Sequence, residues 1–143
     1  MITRMDHTGF VVKDLDKSTD FYLSVVGLKL KVQREREGGP ISDMLGYQDT
    51  HLKVAHLSTG EGHALELIQY VHPEGAKRPS EERSTLGASH LAFNVDDIEK
   101  TFQHLVENGA RKLHSPVVMQ PGRKACYLQD PDGNWIELIE SNE

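Results

Sequence analysis

DHTGFVVKDLDKSTDFYLSVVGLKL, residues 6–30, and SHLAFNVDDIEKTFQHLVENGARK, residues 89–112, are two copies of one pattern. Each has a short strand-like run with a histidine near its start, then an aspartate, an amphipathic stretch and a closing glycine. A further shared piece follows each copy: LELIQY at residues 65–70 and IELIES at residues 136–141. The repeat aligns His7 with His90, Gly27 with Gly109 and Glu66 with Glu137.

Alternation along the first run of each copy sorts the side chains by face, because successive strand residues point to opposite sides. His7, Gly9 and Val11 share one face, as do His90, Ala92 and Asn94; Thr8, Phe10 and Val12, and Leu91, Phe93 and Val95, share the other. The bulky faces read as core. On the histidine faces, Gly9 and Ala92 are too small to fill space. The helices begin at aspartates able to cap exposed backbone N–H groups, Asp14 in one copy and Asp96 or Asp97 in the other. Leu15, Tyr22 and Val26, and Ile98, Phe102, Leu105 and Val106, recur at helical spacing, and a glycine stops each helix.

The remaining apolar runs read as strands at 28–34, 52–57 and 64–70 in the first copy and at 125–129 and 134–139 in the second. The predicted fold class is therefore α+β, built from two tandem βαβββ modules. One domain of residues 1–143 is expected, with module one at 5–71, a linker at 72–87 and module two at 88–140. Residues 35–50 are polar and rich in glycine and charge, and read as a loop able to act as a lid.

Glu66 and Glu137 each lie mid-strand between apolar neighbours, where an unpartnered carboxylate is costly to bury. A lone strand histidine or glutamate is ordinarily structural. Two of each, recurring in register, form the donor set of a divalent metal site: His7, Glu66, His90 and Glu137. His51, His56, His63, His72, His104 and His114 have no repeat counterpart of the same type; of these, only His51 and His56 lie on a strand that can approach the site. The DPDGNW segment, residues 130–135, is a turn that aims the Glu137 strand. Trp135 shares the face of Glu137 and reads as core.

The net charge of −6 and the interleaving of basic residues with acidic or apolar ones argue against a nucleic-acid partner. The single cysteine, Cys126, excludes an intrachain disulfide. No signal peptide or membrane-length run precedes the first repeat, so no membrane partner and a cytoplasmic location are expected.

At His7, Glu66, His90, Glu137 and the ending DPDGNWIELIE, the chain resembles the vicinal oxygen chelate superfamily of glyoxalases, bleomycin-binding proteins and extradiol dioxygenases, over nearly its whole length. The resemblance implies paired modules curling a mixed sheet around a metal-bearing cleft, commonly in a homodimer. The four ligand types match the glyoxalase I-like members. They imply one divalent ion per site (Ni, Zn, Co, Mn or Fe), with Glu137 and Glu66 as the catalytic carboxylates. The implied activity is lyase or isomerase chemistry by proton abstraction beside a carbonyl, with a metal-stabilised enediolate, on a small molecule such as a 2-oxoaldehyde thiol adduct or a CoA ester.

Alternatives are a methylmalonyl-CoA-type epimerase, a metal-free small-molecule binding protein and an extradiol dioxygenase. Epimerases usually carry glutamine at the position of Glu66 and keep a second acidic base near Asp49. Dioxygenases tend to place a histidine shortly before the tyrosine equivalent to Tyr127, where this chain has Val118, Met119 and Gln120. Bacterial glutathione-using members have arginine where Val11 stands and asparagine where Tyr70 stands, which puts glutathione itself in doubt.

Overall fold

The computed structural model describes residues 1–60 and 62–142. The chain divides into two compact units, Met1–Lys77 and Arg78–Glu143.

In the first unit, β1 (His7–Val11) leads into α1 (Leu15–Asp20), which continues as a π-helical turn over Phe21–Val25. Then come β2 (Lys29–Glu37), α2 (Gly39–Leu45), β3 (His51–Ser58) and β4 (Ala64–His72). Asp14 starts the helix, its side chain accepting from the Lys17 amide at 3.1 Å, so one otherwise orphaned donor is satisfied. At the far end Gly27 takes φ +88°, and the chain turns back with the Leu28 amide on the Tyr22 carbonyl at 2.9 Å. The sheet order is β1-β4-β3-β2, with β1 parallel to β4 and the other pairs antiparallel. Phe10, Leu15, Tyr22, Leu57, Leu65 and Leu67 are buried between the helix and one face of this sheet, and each contributes roughly 1.5–3 kcal/mol by leaving water. The Leu15 amide donates to Gln69 Oε1 at 2.8 Å, tying the helix to β4.

The segment 35–50 differs from the expected loop. β2 runs on to Glu37, and Gly39–Leu45 is a helix with no buried residue. Pro40 in its first turn has a backbone already set for helix, and Gly46 in the left-handed region ends it. Composition registered the polarity of the stretch; these two punctuating residues decided its conformation.

In the second unit, β5 (His90–Asn94) and α3 (Ile98–Glu107) are followed by β6 (Arg111–Lys112), β7 (Val117–Gln120), β8 (Arg123–Gln129) and β9 (Trp135–Ser141). β5 is parallel to β9, which is antiparallel to β8, and both β6 and β7 pair with β8. The edge strand is thus in two short pieces. Of the two aspartates able to cap α3, Asp97 does so, accepting from the Lys100 amide at 2.9 Å. Here the Ile98 amide donates to Glu140 Oε2 at 2.7 Å, the counterpart of the Leu15–Gln69 tie. Ile98, Leu105, Leu128, Ile136 and Leu138 are buried, whereas Leu91 and Phe93 are only half-buried.

The 130–135 turn is a small polar core. Asp130, fully buried, accepts from the amides of Asp132 and Asn134 through Oδ1 and from the Asn134 side chain through Oδ2. Arg78 donates to the Gly133 carbonyl at 2.8 Å and to Asn134 Oδ1 at 2.6 Å. Gly133 sits at φ +85°, a conformation that favours glycine. Trp135 is buried, as expected of core, its indole N–H on the Glu81 carbonyl at 3.1 Å. Among the described residues no helix is long and apolar enough to cross a membrane.

Candidate metal centre

In each unit the sheet face away from the helix carries a histidine on the first strand and a glutamate on the last, and the first unit adds a second histidine, His56. In the first, Leu65 and Leu67 point into the core, which forces Glu66 to the opposite face, where β1 places Gly9 beside it and β3 places His56. The Glu66 side chain keeps 18% of its exposure. Its Oε1 lies 3.5 Å from His7 Nε2, and its Oε2 lies 2.5 Å from His56 Nε2. Both carboxylate oxygens therefore face an imidazole.

The other ring nitrogen of His7, Nδ1, contacts Asp6 Oδ2 at 2.8 Å, and this hydrogen bond holds the Asp6 carboxyl below the usual carboxylate range. A carboxylate behind a histidine orients the ring and raises its basicity toward a ligand on Nε2. The His7 and His56 rings are 5.4 Å apart between centroids, and ligand atoms of His7, His56 and Glu66 all lie within 4.8 Å of one another.

The second unit repeats the pair with a different neighbour. Ile136 and Leu138 are buried, so Glu137 points to the opposite face, beside Ala92 on β5 and Tyr127 on β8. Its Oε2 is 3.1 Å from His90 Nε2 and accepts from the Tyr127 hydroxyl at 3.5 Å, and that hydroxyl is 3.3 Å from His90 Nε2. Burial first, and then the negative charge and hydrogen bond of Glu137, push the Tyr127 hydroxyl above its ordinary pKa. It therefore stays protonated and available as a donor. The His90 ring meets Tyr127 edge-on at 5.1 Å.

The four residues expected as ligands thus form two pairs, His7 with Glu66 and His90 with Glu137. His56, which the sequence placed on a strand able to approach the site but left out of the ligand set because its counterpart is of another type, joins the first pair. His56 and Tyr127 each lie directly across the sheet from their glutamate. Counting back ten positions from each glutamate would have found both. His51 does not join the site; β3 is irregular between His51 and Leu52, and His51 pairs instead with Glu35 at 2.5 Å and Glu37 at 3.4 Å. Asp49 sits in the exposed turn before β3. His63 contacts Thr8 Oγ1 at 2.7 Å.

The donor chemistry fits a divalent ion. Imidazole nitrogen and carboxylate oxygen suit Zn, Ni, Co, Mn or Fe, the nitrogen and oxygen atoms converge, and His7 has the oriented ring that ligation uses. Cys126 adds nothing, since burial pushes its thiol up to about 11.

Three comparisons bear on this arrangement. Residues 4–138 match the family model described as Glyoxalase/Bleomycin resistance protein/Dioxygenase superfamily. The chain is 27% identical to a probable lactoylglutathione lyase of Synechocystis, over 95% of this chain and 94% of that one. It is 29% identical to a 2-epi-5-epi-valiolone epimerase of Actinomyces, over 93% and 76%. Its fold superposes on a glyoxalase family protein from Bacillus cereus with a TM-score of 0.90 at 24% identity, over 99% of this chain and 95% of the other.

Proposed function

Because the chain belongs to the Glyoxalase/Bleomycin resistance protein/Dioxygenase superfamily, we propose that it is a metal-dependent lyase or isomerase of the glyoxalase type, moving a proton beside a carbonyl. The observation that carries the proposal is the repeated pair: a glutamate forced off a buried strand, with an imidazole Nε2 at 3.5 Å in one unit and 3.1 Å in the other. His7, Glu66, His90 and Glu137 are the residues that would hold the metal. When bound, a divalent ion supplies Lewis acidity to the adjacent oxygens of the substrate.

Glu137 is the base. Its contacts with His90 and Tyr127 fall on Oε2 alone, so the carboxylate can swing to take a proton from the carbon beside the carbonyl. Glu66 is held at both oxygens, by His7 and His56, and serves as a fixed anchor. The Tyr127 hydroxyl steadies Glu137 by donating to it. Delivery of the proton to the neighbouring carbon gives a glyoxalase-type isomerisation, and delivery to the same carbon gives an epimerisation. The similarity to a 2-epi-5-epi-valiolone epimerase keeps the second outcome as the alternative reading. A small molecule is the substrate in either case, and the enzyme is expected to work as a homodimer.

Elemental analysis of the purified protein and of His7→Ala tests the reading. Near one metal per chain in the parent, lost in the variant, supports it. No metal, with no thermal shift on adding any of the five ions, replaces the enzyme with a binding protein.

A further inference from the structure

The charged tail of β2, QRERE at residues 33–37, is sorted by the strand rather than mixed. Opposite residues of an antiparallel pair share a face. β2 and β3 pair Val32 with His56, Arg34 with Val54 and Arg36 with Leu52, and β3 and β4 pair His56 with Glu66, Val54 with Ile68 and Leu52 with Tyr70. Three rows therefore cross the site-bearing face: Glu66, His56 and Val32; Ile68, Val54 and Arg34; Tyr70, Leu52 and Arg36. Both arginines fall on the face of His56 and Glu66. Glu35 and Glu37 fall on the helix-bearing face, opposite Lys53 and His51, where both engage His51. No ion pair among the described residues engages Arg34 or Arg36, and both are exposed.

Two free guanidinium groups one pleat apart, Arg34 beside Val54 in the row next to the metal-binding row and Arg36 beside Leu52 in the row beyond, form a cationic end to an otherwise apolar track. We propose that Arg34 and Arg36 bind an oxyanion of the substrate, a carboxylate or a phosphate, and so define its class as a carbonyl compound with an anionic group remote from the reacting carbons. The inference rests on the reading above for its carbonyl end. Two strand spacings separate β2 from β4, about 10 Å, so the anion lies several bonds from the carbonyl. Arginine suits the task because its planar fork meets a carboxylate or phosphate in two parallel hydrogen bonds.

Titration of the chelator-treated protein with inorganic phosphate, followed by calorimetry, tests the pair without metal. The parent and Lys53→Gln, which removes one positive charge from the opposite face, should bind alike. Arg34→Gln/Arg36→Gln should bind at least about tenfold more weakly. Equal binding by the double variant, or no binding by the parent, overturns the proposal.

The Co2+-loaded protein then separates the two ends of the substrate. Acetohydroxamate reports the metal alone, and hydroxamates carrying a distal carboxylate or phosphonate report both ends. The charged compounds should bind about tenfold tighter than acetohydroxamate to the parent and no tighter to the double variant, with the better of the two naming the anion. Equal binding of charged and neutral compounds by the parent overturns the link between the sites. Phosphate binding that needs the arginines, with a Co2+ spectrum indifferent to acetohydroxamate, would uphold the anion pair and remove the metal reading instead.

Discussion

The two units place the same pair of residues on the same strands and then surround them differently. Glu66 has an imidazole at each oxygen, His7 on one and His56 on the other. Glu137 has His90 and the Tyr127 hydroxyl, both at the same oxygen. Duplication thus fixed the donor atoms, while one cross-strand position, His56 in one unit and Tyr127 in the other, set how tightly each carboxylate is held. A neutral hydroxyl at 3.5 Å restrains a carboxylate less than an imidazole at 2.5 Å, and the proposed division into an anchor and a base rests on that difference.

The largest effect that would break this division is on turnover. Glu137→Gln should lower kcat by about a thousandfold, within the range general-base removal produces, while metal content stays near the parent value. Full activity in that variant would return the base to Glu66 or outside the pair. Next come the buried residues that aim the two glutamates. Leu67→Ala and Leu138→Ala, at 0% and 2% exposure, should each cost about 2–5 kcal/mol in chemical denaturation. A much smaller loss at either would mean that the flanking core does not fix the strand's facing.

Metal affinity probes the asymmetry directly. His56→Ala should weaken binding about 10–100-fold, His56→Gln should recover part of it, and Tyr127→Phe should do less than His56→Ala. Equal losses at the two positions would make the halves equivalent. The helix caps offer the symmetric control, since Asp14→Ala and Asp97→Ala should each cost about 1 kcal/mol. The smallest signal comes from the lone thiol. Burial lifts Cys126 to about 11, so its labelling at pH 8 should be slow in the folded protein and reports opening of the second unit alone. Between the ordinary thiol value of about 9 and this raised value, the unfolded chain loses the proton before the folded one. Stability should therefore fall as pH rises through that window.

The paired βαβ start, the caps, the glycine stops and the two glutamate strands were legible because each rests on local rules: period, capping and permitted φ. The four candidate donor residues stood out because they recur. His56 did not, since its importance lies in strand register, which pairs residues distant in sequence and is invisible to a search for like residues at like positions. For the same reason the basic residues of QRERE read only as interleaved with acidic ones; alternation alone shows that the arginines and glutamates part, but only pairing with β3 says which go to which face. β6 and β7 escaped because two and four residues are too few to display a period, and α2 escaped because it is seven residues long and buries none of them.

The parallel pairing of β1 with β4, and of β5 with β9, carries a consequence for how the molecule forms. Each joins the first strand of a unit to its last, so His7 meets Glu66, and His90 meets Glu137, only when a loop of nearly the whole unit closes. Contacts so remote in sequence are slow to close. A chain in which that loop is still open therefore offers a metal scattered ligands rather than a pair, and an ion bound at either pair reports that the two ends of its unit have met.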